Sequence, residues 1–249
     1  MQADDIRSIG VVGGGVMGSG IALAFAGAGY PVVVVDISDE ALRDCRRRIE
    51  AGRHGLSTVV RNGELARDEA DAVAGRISYA TDLAALAEAD LVVEAVPEDE
   101  ELKKQVFAAV EAMVKGEAVI ATNTSGIALA SLVQALDRAD RFIGMHWFHP
   151  AVSRPLVELV YTPETSPEVL DATAVLLERI GKHPIRVKDM PGTYGFVANR
   201  IFYAAIHEAQ AIVEAGIATA EDVDTAMKLG YRWPAGPFEM LQRHRDGRE

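Results

Sequence analysis

Short apolar runs alternate with longer stretches of Ala, Leu and charge from residue 5 to about 190. This is the pattern of a parallel sheet covered by helices. The runs, rich in Val and Ile, predict strands near 6–12, 32–36, 75–79, 90–95, 118–122, 141–147, 155–160 and 184–188. Between them, helices are expected at 17–28, 39–60, 64–73, 82–88, 99–115, 127–136 and 167–180. Breakers cluster from Asp189 to Gly195 and mark a domain boundary. Beyond it the pattern becomes helical. Phe196 to Glu214 forms a long, mostly apolar stretch ended by Gly216, and Thr219 with Asp222 reads as the capping box of a second helix that stops before Gly230. Pro234, Gly236 and Pro237 launch a third helix, which the polar tail Gln242 to Glu249 leaves undeveloped.

The turn after the first strand carries the most specific local signal. In Gly10 to Ala22, GVVGGGVMGSGIA, the residues Gly13, Gly15 and Gly18 form Gly-x-Gly-x-x-Gly between an apolar strand and an Ala- and Ile-rich helix. Gly13 makes the turn, Gly15 lets the backbone approach a pyrophosphate, and Gly18 lets helix and strand pack closely. The N–H groups that open the helix, at Val16 and Met17, hold the anion. Asp36 ends the second strand 18 residues after Gly18, close to the spacing of about 20 expected for a carboxylate on the adenosine ribose. A carboxylate there repels a 2'-phosphate, so the expected cofactor is NAD. The fold class is therefore α/β: a Rossmann-type, doubly wound, mostly parallel sheet over 1–190, followed by a small, incomplete all-α domain over 191–249.

Composition narrows the class further. The chain has 249 residues and is 49% hydrophobic, enough for a sizeable core. No run is apolar for the roughly 18 residues that a membrane span needs, and the acidic start MQADDIRSIG is not that of a signal peptide. A net charge of -12 argues against nucleic-acid binding. The single cysteine, Cys45, fits a reducing, cytoplasmic setting and excludes an internal disulfide. Arg43, Arg46, Arg47, Arg48 and Arg53 form a basic island that is either a landing place for an anionic ligand, such as a coenzyme A phosphate, or a solvated face paired with neighbouring acids. Fewer than 60 residues follow the boundary, too few for an independent core, so oligomerisation or truncation is expected.

Substrate chemistry must come from residues at the carboxyl ends of the strands. Ser125 follows one strand, His146 ends another, Glu158 lies in the next apolar run, and Asn199 opens the long C-terminal helix. Oxidising an alcohol needs a base, and histidine titrates in the right range. Glu158 is placed to bond the second ring nitrogen, Ser125 to donate to the reacting oxygen and Asn199 to hold a carbonyl. His149 is a second imidazole close by in sequence, so spacing leaves open which of the two is the base. His54, His183, His207 and His244 look dispersed, and no metal site is expected.

The blocks GGGVMGSGIA, DLVVEAVPED, ATNTSG, RFIGMHWFHP, PLVELV, PGTYGFVANR and DTAMKLGYRWPAGPFEM, in this order, resemble the L-3-hydroxyacyl-CoA dehydrogenase family, including 3-hydroxybutyryl-CoA dehydrogenases. The resemblance implies that His146 is the base, Glu158 its partner, Ser125 and Asn199 substrate-facing groups, and Glu98 and Lys103 residues near NAD. It also implies an acyl-CoA substrate and a homodimer made by the helical C-terminal part. His149 stands where the family has an asparagine that contacts the nicotinamide end of NAD. The alternatives are a dehydrogenase of a small 3-hydroxy acid without CoA, as in the related carnitine and gulonate dehydrogenases, or an NAD-binding protein left with little activity by a shortened C-terminus.

Overall fold

The computed structural model describes residues 1–192 and 194–245; the expectations for Thr193 and for 246–249 lie outside them. The chain divides into two compact units, Met1–Thr193 and Tyr194–Glu249.

In the first unit the elements run β1 (Ile9–Val12), α1 (Val16–Gly27), β2 (Val32–Val35), α2 (Asp39–Ala51), α3 (Leu56–Arg61), α4 (Arg67–Gly75), β3 (Ile77–Ala80), β4 (Leu91–Glu94), α5 (Glu100–Met113), β5 (Val119–Thr122), α6 (Leu129–Leu132), β6 (Phe142–Trp147), β7 (Leu156–Tyr161), α7 (Pro167–Arg179) and β8 (His183–Lys188). The eight strands form one sheet in the order β3-β2-β1-β4-β5-β6-β7-β8. β1 to β6 are mutually parallel, β7 pairs with β6 antiparallel, and β8 is parallel to β7. Every residue of β1, β4, β5 and β6 is buried, as expected of central strands covered on both faces. The order reverses between β1 and β4, and a cleft for a ligand opens at such a point, outside the carboxyl ends of the strands.

The strand expectations hold to within a few residues. The helices depart from expectation where glycines or distant caps intervene. The single helix expected over 39–60 is two, because the chain folds back at Gly52 and Gly55. A Cβ at Gly52 would lie 2.4 Å from the Arg48 carbonyl oxygen, and one at Gly55 would lie 2.6 Å from that of Ile49. The expected helix at 82–88 is a short 3-10 turn over Leu83–Leu86 capped by Asp82. The one at 127–136 shortens to α6 and a 3-10 turn, Val133–Ala135.

The second unit holds α8 (Ala198–Glu214), α9 (Ala220–Tyr231) and α10 (Pro237–Arg245). α9 runs through Gly230 and ends at Arg232, whose backbone is left-handed (φ 58°). α10 does form, contrary to the expectation from its polar tail. The buried Asp224 of α9 accepts the N–H groups of Phe238 (2.8 Å) and Glu239 (3.1 Å), capping α10 from another helix.

Two glycines give opposite expectations for stability. At Gly144, inside β6, a Cβ would lie 2.8 Å from Val160 Cβ and 3.2 Å from Leu129, whereas at Gly27, ending α1, it would meet open space. Gly144→Ala is expected to cost about 1–3 kcal/mol through overpacking, and Gly27→Ala to gain about 0.5–1 kcal/mol. Urea denaturation of the two variants checks both signs.

Candidate active site

The turn between β1 and α1 is built for close backbone approach. Gly13 has φ +96°, and a Cβ there would lie 2.7 Å from the Ala95 carbonyl oxygen at the end of β4. A Cβ at Gly18 would come within 1.8 Å of the Gly13 carbonyl oxygen, so helix and strand meet backbone to backbone. Gly15, the N-cap of α1, supplies no side-chain cap, the first turn carries no acid, and a Cβ at Gly15 would meet nothing within 4 Å. An open helix N-terminus without its own cap fits a pyrophosphate. Val16 is exposed and Met17 half-buried beside it. Asp36 accepts from the Gly14 N–H (2.6 Å) and the Ile37 N–H (2.7 Å), which fixes its carboxylate at the edge of the glycine turn. These features fit NAD: Gly15, Val16 and Met17 would hold its phosphates at the helix N-terminus, Gly13 and Gly18 shape the turn, and Asp36 would take the ribose.

On the far side of β1, the end of β4 is held by a buried ion pair. Glu94 and Lys103 are each 1% exposed, with Nζ 2.7 Å from Glu94 Oε1. Glu94 also accepts from the Thr122 hydroxyl (2.7 Å) and the Val96 N–H (2.7 Å). Burial pushes its carboxyl up, against the opposing pull of Lys103. Lys103 reaches on to Glu98 at 3.2 Å. Glu98 in turn accepts from the Thr124 hydroxyl (2.6 Å) and the Ser125 N–H (2.8 Å). Although burial raises its carboxyl, these donors and the Lys103 charge hold it below the usual range. The network ends at Ser125, whose backbone is fixed by Glu98.

His146 and Glu158 are directly opposed across the antiparallel β6–β7 pair. Their side chains share a face, and His146 Nδ1 lies 2.7 Å from Glu158 Oε2, with the residues 3% and 0% exposed. A carboxylate can only accept, so Nδ1 donates and proton exchange falls to Nε2. Phe148 packs against the imidazole with ring centroids 4.6 Å apart. The next residue, Trp147, gives its backbone N–H to Asn123 Oδ1 at 2.9 Å, which ties the end of β6 to the loop that carries Ser125.

Sequence reading placed His54 apart from the other histidines, and here the structure corrects it. The Gly52–Gly55 fold-back sets His54 edge-on to His149, with ring centroids 5.8 Å apart. Desolvation, then the charges of His149 and Arg53, hold the His54 imidazole below its ordinary range. Glu94 and Asn123 were also missed, although a lone glutamate ending the apolar run LVVE was a readable signal. Asn199 lies in the first turn of α8, in the second unit. The basic island on α2 is partly committed: Arg47 bonds Asp44 (2.5 Å), Arg46 lies 4.7 Å from the Tyr79 ring centroid, and Arg48 reaches the Gly14 carbonyl (3.5 Å). Arg43 and Arg53 are exposed.

A dinucleotide-binding sheet with a buried imidazole–carboxylate pair near its ligand-facing edge defines the class, a nicotinamide-dependent oxidoreductase. Comparison with known proteins gives the family. Residues 8–190 match the 3-hydroxyacyl-CoA dehydrogenase NAD binding domain, and 195–245 match the 3-hydroxyacyl-CoA dehydrogenase C-terminal domain. The mitochondrial hydroxyacyl-coenzyme A dehydrogenase of Sus scrofa is 37% identical over 95% of this chain and 75% of its own length. A probable 3-hydroxybutyryl-CoA dehydrogenase of Deinococcus radiodurans is 38% identical over 93% of this chain and 81% of its own. The crystal structure of (S)-3-hydroxybutyryl-CoA dehydrogenase from Ralstonia eutropha superposes with a TM-score of 0.89 at 38% identity, covering 93% of this chain and 80% of that one. The chain belongs to the 3-hydroxyacyl-CoA dehydrogenase family, whose NAD-binding domain forms most of it.

The buried pair at β4 is open to a direct test. Glu94→Gln strips Lys103 of its nearest counter-charge and is expected to destabilise the fold by about 3 kcal/mol. Adding Lys103→Met to that variant should recover part of the loss, since no fully buried charge then remains at the pair and Glu98, which loses the lysine, is partly exposed. Urea denaturation of the single and double variants reads the coupling.

Proposed function

We infer that this chain is an NAD-dependent oxidoreductase that interconverts an L-3-hydroxyacyl-CoA and the corresponding 3-oxoacyl-CoA, with His146 as the base. The observation that carries the reading is the buried His146–Glu158 pair, 2.7 Å apart on the dinucleotide-binding sheet. NAD, bound at the β1–α1 turn, supplies the hydride acceptor. His146 Nε2 takes the proton of the substrate hydroxyl, and the Glu158 carboxylate stabilises the imidazolium that results. In the reverse direction the imidazolium returns the proton to the carbonyl oxygen. Ser125 is assigned to donate its hydroxyl to the reacting oxygen and Asn199 to hold the acyl carbonyl. Glu98 and Lys103 are assigned to the surroundings of NAD, and His149 to its nicotinamide end. Lys103, being buried, acts there by fixing Glu98.

An acyl-CoA partner is supported by the names of the relatives and by Arg43 of α2 and Arg53 just after it, which stay exposed. A homodimer made through the second unit is supported by its outward apolar side chains, Ile201, Ile217, Leu229 and Tyr231, each at least 65% exposed. Among the described residues no helix is long and apolar enough to cross a membrane. A cytoplasmic setting fits the lone free cysteine, and a role in fatty-acid oxidation fits the names of the relatives.

Purified protein should oxidise NADH in the presence of acetoacetyl-CoA, far more slowly with NADPH or with free acetoacetate. Equal rates with free acetoacetate would transfer the reading to a small hydroxy acid. His146→Gln should bind NADH with an unchanged Kd while kcat falls about 10²–10⁴-fold. Wild-type turnover by that variant would remove His146 from the role.

A further inference from the structure

One buried cation belongs to none of the groups described so far. α7 ends in a Schellman turn: Gly181 has φ +76°, its N–H reaches the Glu178 carbonyl, and the Lys182 N–H reaches that of Leu177 at 2.9 Å. With its backbone fixed in this way, Lys182 points its side chain inward and is 8% exposed. Its ammonium donates to three backbone carbonyls, those of Ala151 (2.7 Å), Val152 (2.9 Å) and Arg154 (3.0 Å). Nζ also lies 5.5 Å from the centroid of the Trp147 ring. Among the described residues no carboxylate forms an ion pair with it. An ammonium has three N–H donors, and all three are used.

The carbonyls it gathers belong to one turn, closed by the Ser153 and Arg154 N–H groups on the Pro150 carbonyl. That turn begins immediately after His149, the residue facing His54. It also lies against the dinucleotide-binding helix, since a Cβ at Gly20 of α1 would sit 3.1 Å from Ala151 Cβ. On the other side, Trp147 directly follows His146 in β6. A single buried charge thus holds the segment that links the base to the face of α1.

We propose that Lys182 is a positioning residue for cofactor binding and catalysis: by pinning the 150–154 turn under Trp147, it sets the placement of His149 and the end of β6 relative to α1. The catalytic half of this proposal rests on the dehydrogenase reading above; the cofactor half does not. Only the protonated side chain satisfies all three carbonyls. A neutral amine has two donors and turns a lone pair toward the third oxygen, and an apolar residue leaves three carbonyls without donors. Desolvation lowers the basicity of Lys182, in keeping with a cation held without a counter-charge.

The test uses the full chain and two variants. Lys182→Met keeps the apolar stem and removes the donors. Lys182→Ala empties the space, which a surface cleft of about 330 Å³ lined by Leu23, Ala24, Val152, Ile180 and Lys182 opens to solvent. For folded Lys182→Met, NADH affinity measured by fluorescence should weaken at least about 5-fold and kcat with acetoacetyl-CoA should fall at least about 10-fold, the scale on which small displacements act. n-Propylammonium should restore several-fold of both losses in Lys182→Ala, and propanol should restore neither. Wild-type NADH affinity and kcat in folded Lys182→Met would overturn the proposal, as would losses in Lys182→Ala that propylammonium leaves untouched. If Lys182→Ala fails to fold, the Met variant alone decides. Should the wild-type chain itself turn over no 3-oxoacyl-CoA, the dehydrogenase reading fails, and NADH affinity still judges Lys182.

Discussion

The Glu94–Lys103 pair is the interaction on which the ligand-facing edge of the sheet depends. Two opposite charges, each 1% exposed, sit where β4 ends. Neither tolerates the interior alone, because leaving one buried charge without its partner costs about 3–5 kcal/mol. Satisfying both therefore fixes more than the pair. Glu94 draws in Thr122 at the end of β5 and the Val96 N–H at the start of the next loop. Lys103 draws in Glu98, and Glu98 holds Thr124 and Ser125. Ala95, between the two acids, meets the glycine turn through its carbonyl. The ends of β1, β4 and β5 are thereby referenced to one electrostatic centre, at the place where the strand order reverses.

The imidazole–carboxylate pair depends on a different constraint, the change of direction after β6. The first six strands are parallel, and only the return of the chain as β7 brings Glu158 directly opposite His146. Directly opposed residues on an antiparallel pair lie about 4.5–5.5 Å apart at Cβ and share a face. A carboxylate and an imidazole at that spacing meet through one hydrogen bond without either side chain leaving the strand. β7 is otherwise apolar on both faces, with Val157, Leu159 and Val160 fully buried. Glu158 therefore has no solvent to turn to, and the bond to His146 helps to satisfy its charge inside the protein.

Much of this was legible in the sequence because it rests on local chemistry. Gly13, Gly15 and Gly18 reveal the turn by their spacing between a strand and a helix, and Asp36 follows at a fixed distance along a strand–helix–strand unit. The central strands were readable because buried parallel strands are continuous Val- and Ile-rich runs. What escaped was set by how the chain folds back on itself, over short or long separations in sequence. The break in 39–60 needed the knowledge that Gly52 and Gly55 fold against the end of α2, and α10 needed Asp224 as a cap from another helix. The meeting of His54 with His149 follows from that same fold-back, which joins residues almost a hundred positions apart. Ser125, His146 and Glu158 could be nominated from strand ends, but the choice of His146 over His149 came from family resemblance, and the pairing of His146 with Glu158 is visible only in the β6–β7 register.

The distribution of buried polar groups separates what is assembled in the chain from what a ligand must complete. Glu94, Lys103, Thr122, Asn123, Thr124, His146 and Glu158 are all buried, and each makes a hydrogen bond inside the protein. A buried polar group left without a partner costs about 1–3 kcal/mol, so these side chains are held in place by the same energy that keeps the fold intact. The β1–α1 turn is built in the opposite sense: Gly15 offers no side-chain cap, the first turn of α1 has no acid, and the space over Gly15 is open. The imidazole–carboxylate pair is thus preorganised by the protein's own hydrogen bonds, while the helix N-terminus keeps its positive field for an anion from outside. Hydride chemistry benefits from that division. The reacting proton needs a fixed base, since displacements of about 1 Å are costly to catalysis, and the cofactor must be able to enter and leave.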